Sequence, residues 1–201
     1  MAVTPADRVS RLVKGTIDLE CGSTTITFGR MEQVAFSHMV FVDGASLLAT
    51  AESRITGLKD VAGKRVGVIP NTTTEKALAA ALNAASIKAD TVPVSEHREG
   101  LQGLEAGRLD AYASDHILLA GLLETARDPG KLRLSGEYFS YEPYGLMMRR
   151  GDNAFQAQVN RVLSALYRSG GIVPIYERWF GPYKAAPHLV QALYLLHSWP
   201  E

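Results

Sequence analysis

The middle of the chain alternates between short apolar runs and longer stretches in which apolar residues recur at helical spacing. Strands are predicted over 65–69, 91–96, 111–115 and 131–136, and helices over about 74–85, 97–110 and 116–127. Strands and helices therefore take turns along this stretch. That order predicts an α/β fold with a mainly parallel sheet and helices on its faces.

The segment VAFSHMVFVDGASLLAT, residues 34–50, contains two extended runs separated by Asp43-Gly44, a dipeptide that favours turns. Two strands joined by a turn are therefore expected here. The flanking stretches add, in chain order, a helix over 5–14, a strand over 16–19, an extended segment over 141–152, a helix over 154–171 and two short helices in IVPIYERWFG and PHLVQALYLLHSWPE.

Composition and charge exclude several classes of protein. The chain has 201 residues, of which 46% are apolar and 21% charged, as in ordinary globular proteins. Its 21 basic residues balance 21 acidic ones, so charge gives no reason to expect nucleic acid or an anionic membrane as a partner. The single cysteine, Cys21, excludes an internal disulfide and argues against a cysteine-based metal site. We expect no metal and no cofactor.

Neither a membrane span nor a signal peptide is predicted. No apolar run reaches the roughly 18 residues that a spanning helix needs. The N-terminal sequence MAVTPADRVSRL has neither a basic region nor an apolar core of the kind that signal peptides contain. The protein is therefore either cytosolic, or exported by a signal that was removed or lies upstream of this sequence.

The segment ECGSTTITFGR, residues 20–30, gathers small hydrogen-bonding side chains just before an arginine. Hydroxyls and backbone groups here can donate or accept hydrogen bonds, and the guanidinium of Arg30 can make a two-pronged contact with a carboxylate. The structural alternative is a hydroxyl-rich turn followed by a surface arginine.

A second polar segment, NTTTE at residues 71–75, lies between a predicted strand and a predicted helix. Free N–H groups at a helix start, together with threonine hydroxyls, favour an anion. The alternative is a helix cap, with Thr72 or Thr73 as the capping residue and Glu75 completing a capping box. The segment lacks the glycine-rich Lys-Ser/Thr pattern of a nucleotide-binding loop.

Two further residues are candidates. Asp115 ends a predicted strand, which is where open α/β sheets place ligand-binding groups, although it could instead cap the next helix. His97 could be a titratable cation near a ligand or a solvated residue at a helix start. Together the candidates provide two sites for a carboxylate, one for an ammonium group and one adjustable cation. This set suits a zwitterion such as an amino acid.

Five blocks of the sequence occur in the order found in a known family. They are RVSRLVKGTIDLECGSTTITFGRMEQVAFS, LKDVAGKRVGVIPNTTTE, LEAGRLDAYASDHILLAG, EPYGLMMRRGD and IYERWFG. In these blocks the chain resembles the polar amino-acid solute-binding proteins of ATP-driven (ABC) importers, within them the glutamate/aspartate-type branch. The resemblance implies a type II periplasmic-binding-protein fold, in which two α/β lobes joined by a double-stranded hinge close on an amino acid. It also implies a periplasmic location and an ABC permease as partner.

The resemblance assigns roles in the first polar segment. Arg30 would bind the α-carboxylate of the ligand. Thr25 and its backbone would share contacts with the α-carboxylate and the amino group, with Ser23 nearby.

The resemblance also assigns roles to the later candidates. At the helix start, Thr73 would donate its N–H to the same carboxylate, next to Thr72. Asp115 would pair with the α-ammonium group, and His97 falls where the acidic branch has a histidine near the side-chain carboxylate. Asn71 replaces the usual glycine before the threonines, and asparagine tolerates the left-handed conformation that this glycine would adopt.

Relative to the family, the chain lacks the opening third, which supplies the first strands of lobe one. We therefore expect an incomplete lobe one, formed by 1–50 and 146–201, and a complete lobe two, formed by 51–145. A sheet without its first strands exposes edges and apolar faces. The result would be a weakly binding fragment, a homodimer that exchanges strands or elements, or a protein with no transport role.

Three functions remain open at this point. The first is binding of a polar, acidic amino acid without catalysis. The second is an enzyme similar to cyclohexadienyl or arogenate dehydratases, which share this fold; Glu142 in YEPYG is the candidate general acid, and its alternative role is structural. The third is a sensor or interaction module in which ligand binding is weak or lost.

Overall fold

The computed structural model describes residues 1–181 and 187–200. Its strands are β1 (Leu19–Glu20), β2 (Val34–Asp43), β3 (Ala45–Thr50), β4 (Arg65–Val68), β5 (Asp90–Pro93), β6 (Ala111–Asp115), β7 (Leu132–Leu134) and β8 (Glu142–Arg149). Its α-helices are α1 (Arg8–Val13), α2 (Phe28–Met31), α3 (Thr73–Ala84), α4 (His97–Glu105), α5 (His116–Thr125), α6 (Asn153–Arg168), α7 (Ile172–Phe180) and α8 (His188–Leu196). No helix in these two ranges combines the length and the apolar character that crossing a bilayer requires.

The chain divides into two compact units. The first unit comprises Met1–Val42 and Pro143–Glu201, and the second comprises Asp43–Glu142. These limits differ from those expected from the sequence, at 50/51 and 145/146. The difference arises because residues 45–50 form β3, a strand of the sheet in the second unit.

The second unit contains a five-stranded sheet in the order β5-β4-β6-β3-β7. Strand β4 pairs in parallel with both β5 and β6, as the alternation of strands and helices predicts. Strand β3 is antiparallel to β6 and β7. It enters this sheet directly from β2, a strand of the other sheet, and it is the strand that runs against the direction of β4, β5 and β6.

The two strands expected on either side of Asp43-Gly44 are present as β2 and β3, but they do not pair with each other. Strand β2 belongs to a three-stranded sheet of order β1-β8-β2, whereas β3 belongs to the five-stranded sheet. The two residues have another structural role. A Cβ atom at Gly44 would lie only 2.6 Å from the Tyr138 ring, so the close approach requires glycine. The Asp43 carboxylate accepts a hydrogen bond of 2.9 Å from the Ile117 N–H at the start of α5.

Apolar side chains cover both faces of the five-stranded sheet. On one face, Leu78 and Leu82 of α3 pack with Val66 and Val68 of β4. The other face is buried by a cluster from β3, β6, α4, α5 and the neighbouring loops: Leu48, Ile69, Val94, Leu101, Leu104, Leu109, Tyr112, Leu119 and Leu132. The second unit therefore has the two-sided core of an α/β sheet.

The first unit has a smaller core, formed by Leu12, Val34, Phe36 and Met147. The strand predicted over 16–19 is observed only at Leu19–Glu20, where it pairs with β8. The backbone of β2 receives hydrogen bonds from side chains of α6, as when Gln156 Nε2 donates to the Phe36 carbonyl over 2.7 Å. The polar face of α6 therefore satisfies part of the edge of this strand.

We expect acid to destabilise the protein through His116. Its Nδ1 atom is buried and has no hydrogen-bond partner within the described residues, and burial lowers the pKa of His116 below its usual 6.5. The unfolded chain therefore binds more protons as the pH falls through about 6.5, and the free energy of unfolding decreases. The pKa of His38 is lowered as well, by burial and by the nearby His197, and adds to the same trend.

Urea denaturation at pH 7.5 and pH 5.5 tests this expectation. The variant His116→Phe keeps a ring beside Tyr138, whose ring centroid lies 4.9 Å away, and should lose less stability on acidification than the wild type. The same change at His188, which is exposed on α8, provides the control and should leave the pH dependence unaltered. An identical loss in His116→Phe and the wild type would contradict the assignment to His116.

Candidate functional site

The segment 20–30 is organised around a buried carboxylate. Glu20 is only 3% exposed, at the end of β1. Its Oε1 atom accepts a hydrogen bond of 3.0 Å from the Gly22 N–H, and its Oε2 atom accepts one of 2.8 Å from the Thr24 hydroxyl. The chain therefore bends around the Glu20 side chain before it reaches Thr25.

A buried arginine from α1 joins the same cluster. Arg8 is 7% exposed, and its Nη1 atom lies 3.9 Å from Glu20 Oε1. The same Nη1 donates a hydrogen bond of 3.0 Å to the carbonyl of Ser23. Sequence reasoning did not identify Arg8 or Glu20, because an arginine and a glutamate twelve positions apart show no local pattern that marks them as a pair.

Thr25 and Arg30 are connected directly. Thr25 is 4% exposed and forms an isolated antiparallel bridge with Tyr144. Its carbonyl accepts a hydrogen bond of 2.6 Å from Nη1 of Arg30, which is half-buried rather than a freely exposed surface arginine. The hydroxyl-rich turn of the alternative interpretation is also present, since Thr27 caps α2 by accepting a hydrogen bond from the Arg30 N–H.

The NTTTE segment forms the helix cap that the sequence offered as an alternative. The Thr72 hydroxyl accepts a hydrogen bond of 3.1 Å from the Glu75 N–H and donates one of 2.7 Å to the Ile69 carbonyl. The Glu75 carboxylate accepts a hydrogen bond of 2.7 Å from the Asn71 N–H. Asn71 adopts φ of 62°, the left-handed conformation expected of it. Thr73 is the first residue of α3 and is half-buried.

The third threonine of this segment holds Asp115. Thr74 and Asp115 are each 6% exposed, and the Thr74 hydroxyl donates a hydrogen bond of 3.0 Å to Asp115 Oδ1. Asp115 occupies the capping position of α5, yet its side chain makes no capping hydrogen bond there. Asp43 binds an N–H of α5 instead, through Ile117. The Asp115 carboxylate is thus not committed to capping its own helix.

His97 is half-buried and hydrogen-bonded, not a solvated residue at a helix start. Its Nδ1 lies 2.8 Å from the hydroxyl of Tyr112, which is fully buried. Burial raises the pKa of Tyr112 well above its usual value, so the phenol stays protonated and able to hold the imidazole ring in one orientation. Glu142, the candidate acid, is 2% exposed and accepts a hydrogen bond of 2.7 Å from the Ser140 hydroxyl.

The sheet brings four of the candidates to one edge of the second unit. Strands β5, β4 and β6 are adjacent and parallel, so their C-terminal ends lie at the same edge. His97 follows β5, Thr72 and Thr73 follow β4, and Asp115 ends β6. This is the edge at which open α/β sheets bind ligands. The remaining candidates, Ser23, Thr25 and Arg30, lie together in the first unit.

The chemistry of these groups is that of ion and hydrogen-bond recognition. Arg30 provides a planar cation, Asp115 a buried carboxylate, and the start of α3 provides N–H groups. Over 1–181 and 187–200, no group of three His, Cys, Asp or Glu side chains is placed to hold a metal ion. The first unit therefore offers a cation suited to a carboxylate, and the second unit offers a carboxylate suited to an ammonium group.

The sequence places this α/β chain in a known family. Residues 1–182 match the family described as bacterial extracellular solute-binding proteins, family 3. The chain belongs to this family, and the family and fold expected from the sequence are confirmed.

Individual relatives show what the chain is similar to. It is 35% identical over 178 residues to the L-glutamate/L-aspartate-binding protein of Pseudomonas aeruginosa PAO1. The matched region covers 89% of this chain and 59% of that protein. The chain thus spans less than two thirds of that relative's length. An ancestral arginine-binding protein bound to glutamine superimposes with a TM-score of 0.79 at 29% identity, covering 88% of this chain and 76% of the other.

A second solved structure bears on the enzymatic alternative. It is the ancestral amino acid-binding protein AncCDT-1, a precursor of cyclohexadienyl dehydratase. Its TM-score is 0.79 at 26% sequence identity, covering 90% of this chain and 76% of the other chain.

Proposed function

We propose that the chain binds a polar, acidic amino acid of the glutamate or aspartate type, as the periplasmic solute-binding component of an ABC importer. The observation that carries the proposal is that each unit holds one charged side chain in place by a hydrogen bond, and that the two charges are opposite. Arg30 is hydrogen-bonded to the Thr25 carbonyl in the first unit, and Asp115 to the Thr74 hydroxyl in the second. A free amino acid requires both charges.

In this proposal the first unit supplies groups for the acid end of the ligand. Arg30 binds the α-carboxylate, because a guanidinium can donate two parallel hydrogen bonds to it. Thr25 contributes hydrogen bonds to the carboxylate and the amino group, and Ser23 lies close by in the same segment. The buried cluster beneath Ser23 and Thr24 supports this assignment, since it limits the conformations that the segment can adopt.

The second unit supplies the remaining groups. Asp115 pairs with the α-ammonium group, while the N–H of Thr73 at the start of α3 donates to the α-carboxylate, next to Thr72. His97 contacts the side-chain carboxylate of an acidic ligand. The membership of an amino-acid-binding family and the placement of these residues at one sheet edge support the proposal.

Calorimetric titration with glutamate, aspartate, glutamine and arginine tests the proposed function. We expect saturable heat with an acidic amino acid and weaker binding of arginine. The same ligand should raise the thermal midpoint, because a ligand present at 100 times its Kd adds about 2.7 kcal/mol to the free energy of unfolding. Absence of heat with all four ligands would contradict the proposal and favour a sensor or interaction module.

The acidic specificity has its own test in His97→Ala. We expect this variant to weaken glutamate binding more than glutamine binding, because only glutamate presents a second carboxylate to the imidazole. The variant Tyr112→Phe removes only the hydroxyl that holds Nδ1 of His97, and should reduce the preference for glutamate by a smaller factor. If His97→Ala lowered the affinities for glutamate and glutamine equally, His97 would not determine the specificity.

A dehydratase activity is the alternative, because AncCDT-1, itself an amino acid-binding protein, is a precursor of such an enzyme. A general acid is needed for such a reaction, and Glu142 is the candidate. Its burial and its hydrogen bond from Ser140 fit a structural role equally well. Incubation with prephenate or arogenate decides the matter: an aromatic product establishes the enzyme, whereas no product leaves the binding function as proposed.

The first unit also suggests self-association as part of the proposal. It exposes several large apolar side chains, including Trp179 at 68%, Leu195 at 77% and Leu196 at 73%. Exposed apolar groups of this size commonly mark interaction surfaces. A homodimer, formed by exchange of strands or elements, is the association that we propose for this unit. Light scattering should then give about twice the mass of 21.8 kDa, and a monomeric mass would contradict this part of the proposal.

A further inference from the structure

We infer that Glu20 is a positioning residue for the carboxylate-binding segment 21–30, acting through the backbone on Arg30; this inference rests on the proposed function. Both carboxylate oxygens of Glu20 are engaged within the segment, one with the Gly22 N–H and the other with the Thr24 hydroxyl. The side chain is buried, with 2% of its surface exposed. Through these two hydrogen bonds, the buried Glu20 side chain restricts the backbone conformation of the segment.

The fit of Gly22 is a separate sign that the carboxylate belongs in this position. A Cβ atom added at residue 22 would overlap Glu20 Oε1. A side chain at residue 22 would therefore displace the end of the Glu20 side chain, which accepts a hydrogen bond from the N–H of the same residue. Glycine at this position and glutamate two residues earlier form a matched pair.

Arg8 balances the buried charge of Glu20. Its guanidinium lies 3.9 Å from Glu20 Oε1 and donates to the Ser23 carbonyl. A buried carboxylate is costly unless a cation or hydrogen-bond donors compensate it, and here both do. The segment between Glu20 and Thr24 is consequently bound at three places: Gly22, Ser23 and Thr24.

The arrangement extends from Glu20 to the ligand-binding guanidinium. Thr24, fully buried, precedes Thr25, whose carbonyl accepts the 2.6 Å hydrogen bond from Arg30 Nη1. If the carboxylate is removed, residues 21–24 lose two of the hydrogen bonds that hold them. The bridge between Thr25 and Tyr144 remains, but the Thr25 carbonyl is then positioned less tightly. Glu20 then affects ligand binding without touching the ligand.

The sign of the effect separates positioning from simple electrostatics. A negative charge near a site for carboxylates repels the ligand, so removing that charge should strengthen binding if the charge alone mattered. If positioning matters, removal should weaken binding. Glu20→Gln is the suitable variant, because it keeps the size of the side chain but leaves one acceptor oxygen for two donors.

We expect Glu20→Gln to raise the Kd for glutamate about tenfold or more in calorimetric titration. The control is Asp18→Asn, which removes an exposed carboxylate two residues earlier, paired with Arg149 over 2.7 Å. This control changes the net charge by the same amount and should leave the Kd within about twofold. Unchanged or tighter binding in Glu20→Gln would overturn the inference.

A measurement without ligand keeps this inference distinct from the proposed function. In ¹H–¹⁵N spectra of the free protein, the Gly22 amide and the Arg30 side-chain Nε–H signal should shift in Glu20→Gln and stay in place in Asp18→Asn. If the wild type binds no amino acid but these signals shift, the proposed function fails and the positioning role stands. If the signals do not move, the positioning role fails even when binding is intact.

A second variant covers the case in which Glu20→Gln does not fold. Thr24→Val keeps the shape of the buried side chain and removes only the hydroxyl that donates to Glu20 Oε2. We expect a smaller increase in Kd and a shift of the same Arg30 signal. A folded Thr24→Val protein with wild-type Kd and wild-type spectra would contradict the inference.

Discussion

Replacing Arg30 with alanine is expected to raise the Kd for glutamate by about 30- to 5,000-fold, which corresponds to roughly 2–5 kcal/mol. The variant removes the cation that pairs with the α-carboxylate and leaves that anion without its two-pronged donor. It also removes the hydrogen bond to the Thr25 carbonyl. Calorimetric titration measures the loss, and a thermal melt verifies that the variant is folded.

Two further arginine variants make this test specific. Arg30→Lys keeps the charge but loses the planar fork, so its affinity should lie between those of the wild type and Arg30→Ala. Arg150→Ala removes an exposed arginine of the same unit, whose Nη1 donates to the Glu32 carbonyl, and should leave the Kd unchanged. A wild-type Kd in Arg30→Ala would show that Arg30 does not contact the ligand.

Replacing Asp115 with asparagine is expected to produce the other large loss of affinity, again about 2–5 kcal/mol. The amide oxygen can still accept the hydrogen bond from the Thr74 hydroxyl, so the local structure should persist. What disappears is the negative charge that balances the ligand ammonium group. The affinity for glutamate should therefore fall while the thermal midpoint changes little.

Glutarate gives this prediction a chemical control, because it has the two carboxylates of glutamate and no ammonium group. Asp115→Asn should strongly reduce the affinity for glutamate, whereas the affinity for glutarate should stay the same or increase. Asp128→Asn, an exposed aspartate of the same unit that pairs with Lys131, should change neither affinity. An equal loss for glutamate and glutarate in Asp115→Asn would mean that Asp115 does not contact the ammonium group.

Much of the second unit could be predicted from the sequence, because its elements are short and locally patterned. Strand β6 has the limits 111–115 that its apolar run predicts, and α3 begins one residue before its predicted start. The sequence also marks the break between β2 and β3 at Asp43-Gly44, but not that the two strands belong to different sheets. Gly44 approaches Tyr138 closely and Asp43 caps α5, and neither contact is local in sequence.

In the candidate site, too, some features could be predicted from the sequence and others could not. Residue types such as the threonines before α3 and the hydroxyls before Arg30 are visible in the sequence. Some of their hydrogen-bond partners are not, because they lie far along the chain: Thr74 is 41 residues from Asp115, and Arg8 is 15 from Ser23. A hydrogen bond between such residues depends on the packing of strands and helices, which no local pattern encodes.

The most direct test of the account is a comparison of L-glutamate with two derivatives in calorimetric titration. N-acetyl-glutamate lacks the ammonium group that Asp115 is proposed to bind, and the α-amide of glutamate lacks the carboxylate proposed for Arg30. We predict saturable binding of L-glutamate and at least about 30-fold weaker binding of each derivative. Equal affinity for all three compounds would contradict recognition of the free amino acid by its two charged ends.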